Sequence, residues 1–202
     1  MLEKLFGKLP KTTELIIINH SMGGLVSRSA CFYGEKSNHK WLNNLKKIIF
    51  LGTPHHGAPL EKSGNWIDTI LDSNPYSSPF SRLGKIRSSG ITDLRYGNIT
   101  EDDWKERDRF ELSGDNRIYV PLPKNVNCYA IAATIAKETN NLSDNIVGDG
   151  LVTVKSALGM HKNNEHNLSF PESHQKIFRN MKHLDLLSSL DVYEIVKKWL
   201  KF

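Results

Sequence analysis

The apolar positions of the chain fall into short runs separated by polar turns. Leu15–Ile18 is an apolar run that stops at Asn19; Gly23 and Gly24 follow, and Leu25, Val26, Ala30 and Phe32 then recur at roughly helical spacing. The pattern predicts a buried strand, a sharp turn and a helix from Met22 to about Tyr33. Residues 2–8 predict the last turns of an earlier helix, ended near Gly7 and Pro10. Residues 34–44 are polar and predict a loop, and Leu45–Leu51 predicts a second buried strand. Two buried strands joined through a helix make a βαβ unit and hence a parallel sheet. Val126–Thr134 predicts a third strand and Asn167–Phe170 a short fourth. Pro171–Lys182 reads as a connector, and a final helix spans about Ser189–Leu200. The expected class is α/β, a parallel sheet with helices on both faces.

The strand–helix alternation fails over residues 61–120. Trp66, Ile67, Ile70 and Leu71 keep helical spacing, followed by Pro75, Tyr76, Pro79, Phe80 and the charged stretch Glu101–Glu111. The expectation is one domain over residues 1–202 that carries a helical cap at about 61–118. Trp66, Tyr76, Phe80 and Trp104 would line an apolar acyl pocket or form the cap's own small core.

Composition narrows the class rather than the function. At 202 residues, 39% hydrophobic and 24% charged, the chain is an ordinary globular domain rather than a disordered one. The net charge of +5 is spread without a Lys/Arg run, so no nucleic-acid arm is expected. No segment reaches the roughly 18 apolar residues of a membrane span, and the N-terminus lacks an apolar signal region. Cys31 and Cys128 sit in apolar stretches and read as buried free thiols. The expected compartment is the cytoplasm.

Ser21 lies on the predicted strand-to-helix turn, the setting of a nucleophile elbow. Such a turn lifts a serine hydroxyl clear of the sheet and sets it at a helix N-terminus. It also aims the next backbone N–H, here of Met22, at the oxyanion of acyl transfer. Gly23 fits the tight turn, whereas Asn19 stands where the G-x-S-x-G pattern has glycine. The loop after the second strand, Gly52-Thr53-Pro54-His55-His56-Gly57, should lie beside this turn, because loops at the carboxyl ends of strands line the crevice of an open α/β sheet. His20 and His55 are candidates for the pocket. His55 and His56 also fit a loop-shaping role, since no carboxylate or cysteine nearby completes a zinc set. A serine nucleophile needs a base, and the base a carboxylate. Asp149 lies in a Gly-Asp-Gly turn after the third strand, and His183 after the fourth, just before the last helix. Asp144 lacks the glycine turn; His174 reads as part of an exposed helix, and His161 and His166 as surface loop residues. A nucleotide-binding reading is poor, with no G-x-G-x-x-G and no P-loop lysine.

Asn-His-Ser-Met-Gly-Gly-Leu-Val, Leu-Gly-Thr-Pro-His-His-Gly-Ala-Pro-Leu, Gly-Asp-Gly-Leu-Val-Thr-Val-Lys-Ser-Ala-Leu-Gly and His-Leu-Asp-Leu-Leu are spread over residues 19–187. Together they resemble the α/β-hydrolase lipase/esterase group that includes bacterial triacylglycerol lipases and GPI inositol-deacylase-like (PGAP1-like) proteins. The resemblance implies Ser21 as nucleophile, Asp149 as the acid and His183 as the base of a triad. In that group several strands precede the elbow, and a His-Gly loop among them supplies the second oxyanion N–H. Only 14 residues precede Leu15. The expectation is therefore the C-terminal portion of such a hydrolase, with its N-terminal strands and second donor missing, and with the missing segment or a second copy as partner.

The expected activity is hydrolysis of a carboxylic ester or lipid through an acyl-enzyme on Ser21, with no cofactor and no metal. The rival expectation is a catalytically silent fragment or pseudo-enzyme that binds an acyl ligand or a partner segment.

Overall fold

A computed structural model describes residues 1–10, 12–58, 89–103, 105, 117–137 and 148–201. Four parallel strands form one sheet in the order β1 (Leu15–His20), β2 (Leu45–Leu51), β3 (Asn127–Thr134) and β4 (Gln175–Arg179). Ile17 pairs with Ile48, Phe50 with Ala130 and Ala133 with Phe178. The two inner strands read as near-continuous apolar runs because both of their faces are covered. Ile48, Phe50, Cys128, Ala130 and Ala132 point into one cluster with Leu25, Val154, Leu168 and Phe170. Ile49, Leu51, Tyr129, Ile131 and Ala133 point into the other, with Leu186, Val192 and Val196.

The helices follow from this division. After α1 (Leu2–Phe6) comes α2 (Gly23–Lys36), then α3 (Ser89–Tyr96), α4 (Val154–Ala157) and α5 (Leu190–Leu200). Leu2 and Phe6 of α1, Leu25 of α2, Leu94 of α3 and Val154 of α4 pack on the first face, and α5 covers the second. Ser189 caps α5 by accepting from the Val192 N–H. The one charged residue buried in the central strands, Lys47, has a use at the other end of α5. Its Nζ donates to the Trp199 carbonyl at 2.8 Å and to that of Lys201 at 3.2 Å, satisfying helix-terminal acceptors with a cation.

Three expectations need correction. The fourth strand is not Asn167–Phe170 but Gln175–Arg179, inside the predicted connector. Leu168 and Phe170 alternate with polar residues because both insert into the first core cluster from a loop. Gln175–Arg179 is mostly polar because it is an edge strand of the described sheet, with Ile177 partly exposed. Residues 34–44 are not all loop, since α2 runs to Lys36 and a 3₁₀ turn covers Lys40–Asn44. The buried stripe of α2 is Gly24, Leu25, Arg28, Cys31 and Gly34, and Val26 faces solvent. Cys31 and Cys128 are free and buried, and burial raises both thiols to about 12. Among the described residues no helix is long and apolar enough to cross a membrane.

Candidate active site

The loops that follow β1, β2, β3 and β4 all leave the carboxyl edge of the parallel sheet, which brings Ser21, Gly52, Asp149 and His183 to one end of the fold. Ser21 has φ +53, an uncommon conformation for a residue with a Cβ. Its N–H donates to the Leu51 carbonyl at 2.9 Å, tying the turn to the end of β2. Across the turn, a Cβ at Gly23 would lie 3.4 Å from the Asn19 Cβ, an ordinary contact distance, so the turn has room for asparagine at 19. Asn19 Nδ2 donates to Ser27 Oγ at 3.1 Å, and that hydroxyl donates to the Gly23 carbonyl at 2.9 Å, so the asparagine also braces the first turn of α2. Gly24 lets α2 approach the next loop, since its Cβ would collide with buried Thr53, 2.1 Å from Oγ1. Met22 is the N-cap of α2, and among the described backbone hydrogen bonds its N–H has no acceptor.

Asp149 and His183, 34 residues apart in the chain, form a pair that is 2% exposed at each residue. Asp149 Oδ2 lies 2.7 Å from His183 Nδ1. Oδ1 accepts from the N–H groups of Leu151 at 3.0 Å and Val152 at 2.8 Å. The flanking glycines make that possible: Gly148 has φ +53, and a Cβ there would stand 1.9 Å from the Val152 carbonyl oxygen. The His183 N–H donates to the Asp149 carbonyl at 3.2 Å. With the proton on Nδ1, held by the carboxylate, Nε2 is left as the basic nitrogen. Nε2 is buried and has no hydrogen-bond partner, so Ser21 Oγ does not engage it in this structure.

The other candidates separate by position. His20 Nε2 donates to the His183 carbonyl at 3.1 Å, and the two rings are 4.5 Å apart, which places His20 against the base. His55 is instead an interior residue, 1% exposed, packed on Phe50 and Phe170, with burial and then Arg28 holding its pKa well below the usual range. His56 Nε2 donates to the Gly159 carbonyl at 3.0 Å and shapes the loop. His174 is in a 3₁₀ turn before β4, on the far side of the sheet from β1 and Ser21, stacked on Tyr129 at 4.1 Å. His161 and His166 are half-buried rather than free surface residues, in a row of rings with His56. Trp66, Tyr76, Phe80, Trp104 and Asp144, with most of the expected cap, lie outside the described residues.

A family profile described as "PGAP1-like alpha/beta domain" matches residues 2–200. The chain belongs to this family. Its relatives include proteins named GPI inositol-deacylase from Coccidioides immitis, 35% identical over 68 residues, and from Emericella nidulans, 32% identical over the same length. Each match covers 34% of this chain and 6% of the relative, so the likeness is to a small part of those proteins. Among solved structures, the mature Bacillus licheniformis lipase BlEst2 is similar over 100% of this chain and 69% of its own, with a TM-score of 0.53 and 18% identity. The fold is thus that of an α/β hydrolase, and family and fold are consistent with a lipase- or esterase-type hydrolase.

In this PGAP1-like domain the loop after β2 does not replace a second oxyanion donor readily. The N–H groups of Gly52, His55, Gly57 and Ala58 all donate to backbone carbonyls, and that of His56 donates to Ser156 Oγ. Pro54 has none, which leaves Thr53. Sequence reasoning also missed Arg28, a buried guanidinium on the core side of α2 that donates to the Val120 carbonyl and reaches His55 Nδ1 at 3.4 Å. Burial, then Arg117, lowers its pKa to about 9. The signal was present: Gly24, Leu25, Arg28 and Cys31 share the i, i+1, i+4, i+7 face of a helix.

Proposed function

We propose that the chain is a serine ester hydrolase. Ser21 Oγ attacks the ester carbonyl carbon while His183 Nε2 takes the hydroxyl proton, and the carbonyl electron pair moves onto oxygen. The Met22 N–H, at the N-terminus of the 14-residue α2, faces the developing negative charge. Collapse breaks the bond to the alcohol, which leaves with the proton from His183, and the acyl group stays on Ser21. Water, deprotonated by His183, repeats the sequence and frees the acid. Asp149 holds the His183 tautomer and stabilises the imidazolium.

The observation that carries this reading is the buried Asp149–His183 pair at 2.7 Å, at the same end of the sheet as a serine with φ +53. The missing Oγ–Nε2 contact is compatible with it, because catalytic hydrogen bonds often tighten only when substrate is bound. The name of the relatives makes an acyl ester on an inositol the first natural substrate to test, beside an activated short-chain ester. A fluorophosphonate probe should label the chain on Ser21, since only a serine paired with a base is nucleophilic near neutral pH. Labelling that survives Ser21→Ala would overturn the assignment.

One observation favours a second reading, a catalytically silent domain that binds an acyl ligand or a partner segment. Among the described residues Met22 offers an oxyanion N–H at the elbow, and the neighbouring loop leaves only that of buried Thr53 without an acceptor. Loss of one such donor costs about 10²–10³ in turnover, or about 3–4 kcal/mol. Binding of a fatty acyl ligand without Ser21 labelling or ester turnover would select it.

A further inference from the structure

His20 is the last residue of β1 and precedes Ser21 in the chain, yet its ring lies against His183, 163 residues away. The ring centroids are 4.5 Å apart and the planes are tilted by 44°. His20 Nε2 donates to the His183 carbonyl at 3.1 Å; since a carbonyl only accepts, that nitrogen carries the ring proton. Burial first, and then repulsion from His183, pulls the His20 pKa down to about 4. The ring is therefore neutral at the pH where a histidine base works.

We propose that His20 is a positioning residue for His183, fixing chiefly through its Nε2–H the direction in which His183 presents Nε2 to Ser21. The inference rests on the reading of His183 as the base. Asp149 holds His183 from one side, through the 2.7 Å contact to Nδ1 and through its own carbonyl, which takes the His183 N–H at 3.2 Å. An imidazole held at Nδ1 alone can still swing about that contact, and Nε2, at the far side of the ring, moves most. Gly52 closes one side of the ring. His20 supplies a further stop and ties the His183 carbonyl, so the residue cannot roll. The mount is rigid, because β1 is paired with β2 along its length and His20 sits opposite Leu51. It is also the right mount: His20 is covalently next to the nucleophile and hydrogen-bonded to the base. With no direct Ser21–His183 hydrogen bond in this structure, that link is what sets the two loops in register.

Two variants separate the donor from the ring. His20→Phe keeps an aromatic face and removes the N–H. His20→Gln removes the ring and keeps an N–H donor at a similar reach. The measurements are kcat and KM on an activated ester, the rate of fluorophosphonate labelling of Ser21, a thermal melt, and the far-downfield proton resonance of the His183 Nδ1–H shared with Asp149. His20→Phe should lower kcat and the labelling rate about three- to tenfold, the worth of one hydrogen bond, with KM within about twofold. It should also broaden the Nδ1–H resonance, and His20→Gln should recover most of both losses. Rates within about twofold of the parent in His20→Phe, or a His20→Gln as poor as His20→Phe, would overturn the proposal. If His20→Phe melts far below the parent, His20→Gln decides: parent-like rates and resonance support the proposal, and their loss in a folded protein overturns it. If the parent itself fails to label at Ser21, the esterase reading falls, and the Nδ1–H resonance in the parent and in His20→Phe still decides whether His20 holds the His183 ring.

Discussion

Gly52 lies against the imidazole of His183: a Cβ at position 52 would stand 3.0 Å from Cε1, 3.1 Å from Nδ1 and 2.9 Å from Leu186 Cδ1. Gly52 also has φ +56, where a side chain costs about 1–2 kcal/mol. Gly52→Ala should therefore displace the base as well as strain the turn. The expected result is a fall in kcat of tenfold or more with a loss of only about 1–3 kcal/mol in stability. Steady-state kinetics beside a urea titration reads both, and an alanine variant with full kcat would show that the ring does not rest on this residue.

Asp149→Asn keeps the side-chain shape and can still accept from Leu151 and Val152 through its oxygen. Its amide nitrogen would then face His183 Nδ1 and force that nitrogen to accept, which places the proton on Nε2. The base would be lost without loss of fold, and turnover should fall about 10⁴-fold. A drop below tenfold in a protein with a parent-like melt would remove Asp149 from the triad.

His174→Ala tests the alternative base. Its Nδ1 donates to the Cys128 carbonyl at 3.1 Å, at the amino end of β4. The substitution should leave kcat within about twofold and cost about 1 kcal/mol, from the lost stacking on Tyr129. His183→Ala should do the reverse. An inactive His174→Ala beside an active His183→Ala would exchange their roles.

Gly24→Ala should be among the most destabilising single-methyl additions in α2. The new Cβ meets three Thr53 side-chain atoms within 2.8 Å, and Thr53 is fully buried. Overpacking of this kind costs about 1–3 kcal/mol, which outweighs the better helix propensity of alanine, about 1 kcal/mol. A denaturation midpoint at or above that of the parent would mean that α2 can lift off the loop.

Stability should fall in mild acid. Burial lowers His20 and His56 from the usual 6.5 to about 4, so the folded protein holds both neutral while the unfolded chain protonates them. Their contribution is present above pH 6.5 and is lost as the pH falls towards 4. The melting temperature should be nearly level above pH 7 and decline between 6.5 and 4. His56→Gln, which can still donate to the Gly159 carbonyl, should flatten part of the slope. A melting temperature that holds or rises on acidification through that window would contradict the buried, neutral placement.

Much of the fold was legible in the chain itself. β2 matched its expected bounds, and β1, β3 and α5 came within one or two residues, because long apolar runs and helical periods record burial directly. Edge elements were harder to read. β4 is polar because only part of it is covered, and Leu168 and Phe170 imitate a strand because a loop can bury alternate residues as well as a sheet can. Histidines at 20, 55, 56, 161, 166, 174 and 183 look alike in a sequence, and only their neighbours distinguish them.

The sequence by itself determined what short-range sterics determine: an apolar strand that gives way to a turn around Ser21, a helix that starts at the Gly-Gly pair, and a Gly-Asp-Gly bend that presents Asp149. Each depends on residues a few positions apart. The tertiary structure decided what depends on distant approach. It brought Asp149 to 2.7 Å from His183, set His20 beneath the His183 carbonyl and buried Arg28 beside His55. Those contacts depend on four strands being parallel and in register, so that loops far apart in the chain leave the sheet at one edge, and no local pattern of residues carries that information.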